Sequence, residues 1–209
     1  MDLGVLVDRL LPPAGSRYDE VSAASRDLAQ AVLVDNDAVR PIWKALHGNE
    51  WLSHPLHVVI ITVPIGAWTV SGWYDARSLV TKHPGDEYAA DAALRVGILG
   101  AVAAALTGVA QYVDTRGSAR REATAHAALN NVALVLYLGS WAARRKNHRK
   151  AGRRLATLGH VVVSVSGYLG SDVSYRHGVG VRPQALRDLD VEAQDTSDAP
   201  LQTAGAWHR

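Results

Sequence analysis

A small set of imidazoles and carboxylates recurs near the ends of apolar segments, and their types are those of ligands. His54 and His57 stand three apart and His126 and Asn130 four apart, spacings that put each pair on one helix face. Neutral imidazoles from two helices can take both axial positions of an iron porphyrin, so His57 and His126 are candidate ligands of a haem b. Asn130 or Asp114 would then orient an imidazole through its second nitrogen, and Arg116, Arg120 and Arg121 would pair with propionates. A metal ion is the second form of the idea, drawing on His54, His57 and His126 with Asp114 or Asp172. That spacing matches no tight metal motif. A third is a quinone or lipid-headgroup pocket in which His and Asp meet a carbonyl. The reading from another class is a cofactor-free structural or partner-binding protein, whose polar residues cap helices and keep them in register.

Other residues point elsewhere. His160 lies deeper than the rest, with no histidine at matching depth, and reads as a buried imidazole bonded to a carbonyl or to Ser164. Nothing marks His47, His83, His148 or His208. Asp75 and Arg95 close and open two apolar segments at the opposite end, where each needs a partner. The chain has no cysteine, which excludes a disulfide framework, a cysteine nucleophile, Cys-ligated zinc and an iron–sulfur cluster bound by this chain. No nucleophile and base stand at a recognisable spacing, so an enzyme is not the expectation.

The elements that must carry these residues are written in the charge distribution. The 209 residues hold 42 charged side chains at a net charge of +2, and the mean hydropathy is near zero. Yet windows 55–74, 96–113, 123–143 and 155–171 contain no Asp, Glu, Lys or Arg. A hydrocarbon core about 30 Å thick takes roughly 17–25 apolar residues of helix, and every window falls in that range. The expected fold is therefore all-α: an integral membrane, up-down-up-down four-helix bundle with spans at about 55–74, 92–113, 123–143 and 155–171. Spans one and three would lie diagonally across the core. Pro64 and Gly66 predict a kink in span one, and Gly97, Gly100 and Ala104 a close-packing face on span two. No internal repeat stands out.

Residues 1–50 read as a polar helical extension lying as a lid at the membrane interface. It has one amphipathic surface helix over Tyr18 to Leu33 and a second ended by Gly48. Residues 51–182 form the membrane domain, and 183–209 a disordered tail. Seven of the 22 basic residues crowd into 144–154, the pattern of a cytoplasmic loop, so nucleic acid is discounted and both termini are expected outside.

The run Trp51-Leu52-Ser53-His54-Pro55-Leu56-His57, then Val63-Pro64-Ile65-Gly66-Ala67-Trp68, Leu106-Thr107-Gly108, Asp114-Thr115, His126 with Asn130, and Gly167-Tyr168-Leu169-Gly170 before Tyr175-Arg176-His177-Gly178-Val179-Gly180-Val181, resembles an uncharacterised bacterial membrane family. The likeness covers about residues 46–182. Members occur alone or joined to a Rieske iron–sulfur domain. The resemblance implies a four-helix domain of the bacterial inner membrane linked to electron transfer, whose partner here would be a separate chain such as a Rieske protein. It supplies no activity. The chain departs from the pattern at Ser171-Asp172, where the family shows Gly-His, and at Val58, where it shows a second proline.

Overall fold

The computed structural model describes residues 11–181, so the expected tail at 183–209 lies outside the described residues. The chain is all-helical, with no strand among the described residues. Among the described residues, two helices longer than one turn form the extension. α1 (Arg17–Ala29) is capped by Ser16, whose hydroxyl accepts the Asp19 N–H at 3.3 Å, and carries Asp19 and Glu20 in its first turn where the dipole favours them. A π-helical turn, Gln30–Val34, follows it. α2 (Arg40–His47) stops at Gly48, which takes φ 88°, a left-handed conformation glycine adopts without strain. Short α3 (Asn49–Leu52) and α4 (Leu56–Ile60) lead into α5 (Thr62–Thr81). The break falls at Ile61 because Pro64 has no N–H to give the Ile60 carbonyl and its ring crowds that group, so the expected kink is present. α6 (Pro84–Tyr112), α7 (Gly117–Arg145) and α8 (Arg149–Tyr175) complete the chain. Windows 123–143 and 155–171 fall within α7 and α8, 96–113 ends one residue past α6, and 55–74 is divided between α4 and α5 at Ile61.

α5 pairs with α6 and α7 with α8 as two antiparallel hairpins, and the hairpins pack side by side. α4–α5 and α6 are long and apolar enough to cross a membrane, and only 17% and 22% of their most apolar windows is buried inside the protein. That is the reverse of a soluble core helix, since the apolar surface faces outward. α7 and α8 are as long, but His126, Asn130, Asn131, His160 and several serines dilute them, and they do not pass the same test.

An internal repeat is present after all. His57, Trp68 and Asp75 stand 69 positions before His126, Tyr137 and Arg144, and Gly97, Ala104 and Gly108 stand 62 before Gly159, Ser166 and Gly170. The contacts repeat with the positions. The Trp68 ring fills the space a Cβ would take at Gly97, and the Tyr137 ring does so at Gly159. Trp68 and Tyr137 stack with centroids 3.8 Å apart, and Asp75 pairs with Arg144. Where equivalent residues of two repeats touch, the pseudo-two-fold axis passes between them, so it runs through this stack and this ion pair, along the helices. The repeat escaped the sequence because the offset changes from 69 to 62 between the two arms, so no single period shows, and because the residues that meet on the axis are unlike.

At the arginine end, Arg144 is buried and donates to both oxygens of Asp75 and, at 2.9 Å, to Asp91. Arg149 reaches Asp91 at 3.0 Å and Arg153 reaches Glu87 at 3.0 Å. Asp75 therefore finds its partner in Arg144 of the other hairpin and not in Arg95, which is exposed and donates to the Asp91 carbonyl.

Candidate functional site

His57 opens the first turn of α4 and His126 sits in α7, one on each hairpin, at equivalent positions three turns from the Trp68–Tyr137 stack. Their surroundings repeat atom for atom. His57 Nδ1 donates to the Ala104 carbonyl at 2.9 Å, and His126 Nδ1 donates to the Ser166 carbonyl at 2.7 Å. Each ring lies flat against a glycine four residues farther along the same helix. A Cβ at Gly108 would stand 3.0 Å from His57 Cε1, and one at Gly170 2.7 Å from His126 Cε1. Donation from Nδ1 fixes the tautomer and leaves the Nε2 lone pair of each ring as its accepting atom, as in a ligating histidine held by a backbone carbonyl.

The two rings differ at Nε2. Asn130 Nδ2 donates to His126 Nε2 at 3.0 Å, and the Asn130 carbonyl accepts from Ser166 Oγ at 2.9 Å. Ser166 is fully buried and reaches the His126 carbonyl as well, at 3.0 Å. On the other side, Thr107 Oγ1 lies 3.3 Å from His57 Nδ1. Asn130 thus belongs with His126, as its spacing predicted.

Three other candidates lie elsewhere. Ser53 adopts φ 60°, so the helix starts at Leu56, and His54 is exposed and turned to the Leu52 carbonyl at 3.2 Å. It shares no helix face with His57. Asp114 meets His47 Nε2 at 2.9 Å, and this contact ties α2 to the end of α6. Asp172 bonds Arg176 at 3.1 Å. Among the described residues no group of three or more His, Cys, Asp or Glu is placed to hold a metal ion, because these carboxylates and His54 are turned to other partners. Arg120 and Arg121 are also engaged, at 2.7 and 3.5 Å from Asp19 of α1. Burial raises the Asp19 carboxyl, but the Gly15 N–H, Arg120 and Arg121 outweigh it and hold the group below the usual carboxylate range.

Two polar pairs had no mark in the sequence. His47 is buried by a contact with a residue 67 positions away, which no local spacing signals. Glu122 is fully buried, 3.0 Å from His177 Nε2 and 3.3 Å from Arg176. His160 donates from Nδ1 to the Ala156 carbonyl at 3.0 Å, as a buried, satisfied imidazole would.

No curated protein and no solved structure matches the chain. A family model described as "Predicted membrane protein (DUF2231)" matches residues 53–183, more than half of the chain. The match takes in both hairpins and both imidazoles and begins after α3. With its outward apolar helices and this match, the chain belongs to that family of predicted membrane proteins of unknown function.

Proposed function

We propose that the chain is a multi-pass, four-helix protein of the bacterial inner membrane, and an electron-transfer subunit that holds one haem b between His57 and His126. One observation carries this reading: two imidazoles on opposite sides of a pseudo-two-fold axis, each anchored through Nδ1 to a backbone carbonyl and each packed on a glycine. Each ring so held keeps Nε2 as its accepting atom, the chemistry of a haem-ligating imidazole. His126 would hold such an iron through Nε2, in place of the hydrogen bond that Asn130 gives it here. The haem, when bound, supplies one-electron chemistry, and the two histidines hold it within reach of one membrane face. Arg120 and Arg121 are committed to Asp19, so propionates would fall to other groups.

The basic stretch 144–154 sets the arginine end in the cytoplasm and the histidine end outside. An electron partner would then be a separate chain on the outer side, such as a Rieske protein, since this chain has no cysteine to hold a cluster. A cofactor-free structural protein is the second reading. The Asn130 hydrogen bond favours it, because it satisfies His126 completely without a ligand.

The visible spectrum of detergent-purified protein, oxidised and reduced, decides between them. The expected result is a Soret band with reducible α and β bands, lost in His57→Ala and in His126→Ala. A colourless protein that takes up no added haemin would leave the structural reading standing.

A further inference from the structure

α1 turns polar groups toward the protein and an apolar stripe outward, with Arg17, Glu20, Ser25 and Asp27 exposed beside that stripe. Ser22 is fully buried, and its carbonyl accepts the Tyr112 hydroxyl at 2.9 Å while its own hydroxyl accepts Arg120 Nε at 3.1 Å. Arg26 donates to the Val113 carbonyl at 3.0 Å, and the Tyr18 hydroxyl to the Arg121 carbonyl at 2.7 Å. The side turned away from the protein carries Val21, Ala24, Leu28, Ala31 and Val32, with Val21 55% and Leu28 66% exposed. The exposed apolar surface continues onto α2 at Ile42 and to Trp51, whose indole N–H donates to the Ala45 carbonyl.

An outward stripe of Val21, Ala24 and Leu28 with charges beside it is unfavourable in water and suited to a headgroup boundary, where the charges reach water and the stripe reaches acyl chains. Its position supplies the solvent that makes it favourable. α1 packs at the α6–α7 junction, at the level of Tyr112 and Thr124, which bond each other at 2.7 Å. That is where the charge-free windows of α6 and α7 meet their charged flanks. The last two turns of α6, which lead to that junction, expose Leu106 and Val109 as well.

We infer that α1 and α2 form an apron lying in the plane of the bilayer, with Val21, Leu28, Val32 and Ile42 immersed at the boundary between headgroups and acyl chains. The occupant of the apolar face is lipid. Helices of this kind sink about 5–10 Å into that boundary. The apron precedes the stretch that the family model matches, and the inference does not depend on any haem.

The absence of cysteine makes the test clean. Full-length protein is reconstituted in vesicles of phosphatidylcholine and phosphatidylglycerol, with one nitroxide at a time on Val21→Cys, Leu28→Cys, Ile42→Cys or, as the aqueous reference, Lys146→Cys. Collision with oxygen, which concentrates in lipid, is compared with collision with a water-soluble nickel chelate. The three apron labels are expected to meet oxygen and exclude the chelate, with the order reversed at Lys146. Chelate access at Leu28 equal to that at Lys146 would place the stripe in water and overturn the inference. Shielding from both reagents at all three sites would overturn it too, in favour of a second copy of the chain covering the face.

Discussion

At Gly170 a single missing methyl group decides whether His126 can keep its place. The imidazole is bonded at Nδ1 to the Ser166 carbonyl and at Nε2 to Asn130, so it has nowhere to retreat when a Cβ arrives 2.7 Å from Cε1. Gly170→Ala should destabilise the protein by about 1–3 kcal/mol, the usual cost of overpacking a tight interior. Gly108→Ala should cost less, because the corresponding contact with His57 is 3.0 Å and Asn130 has no counterpart there. Gly167 lies in the same helix with nothing within 4 Å of its Cβ position, and Gly167→Ala should gain up to about 1 kcal/mol from helix propensity alone. Thermal unfolding of the three variants in one detergent measures the contrast. Equal midpoints for Gly170→Ala and Gly167→Ala would mean that the ring does not press on the glycine.

Between elements, α1 is held to the α6–α7 junction by Asp19, and that tie carries a pH dependence. The folded carboxyl is held below its ordinary value of 3.8, so its contribution is complete above that pH and fades as the pH falls through the lowered folded value. Asp19→Asn should therefore cost about 1 kcal/mol at neutral pH, in line with a charge-assisted hydrogen bond near the surface. The gap between variant and wild type should close in acid, below about pH 4. Unfolding midpoints of both proteins between pH 7 and 3 give the comparison, and a gap that widened in acid would contradict it. The long helices were legible beforehand because charge-free windows report membrane-compatible length directly, and the kink was legible because Pro64 has one stereochemical consequence. His54 was misplaced because spacing arguments assume a helix, and the left-handed Ser53 ends that assumption one turn early. Asp114 and His47 stayed hidden for a different reason: each is polar and unremarkable locally, and only the docking of α2 on α6 joins them.

Over the whole molecule, the two hairpins share positions but hold unlike residues where they meet on the axis, and that divergence is what lets them fit face to face. Two aspartates, or two arginines, meeting on a two-fold axis would repel, whereas Asp75 and Arg144 attract. Two indoles would overfill the space that Trp68 and Tyr137 share, and two phenols would leave it loose. If the axis is a property of the fold, exchanging the pair should preserve what neither single change preserves. Tyr137→Trp alone forces a larger ring against Gly159, where a Cβ would already meet the Tyr137 ring at 2.9 Å. Trp68→Tyr alone removes atoms from a site that is 3% exposed and leaves a void above Gly97. Each should cost about 1–3 kcal/mol by overpacking or cavity formation. The double variant, Trp68→Tyr with Tyr137→Trp, keeps the summed volume and the stacked geometry, with the roles of the hairpins reversed. Its destabilisation should fall below the sum of the single costs by about 1 kcal/mol or more, the range found for residues in direct contact. Thermal unfolding of the four proteins completes the cycle, and strict additivity would mean that the two ring sites are not interchangeable, so that the symmetry is one of backbone placement alone.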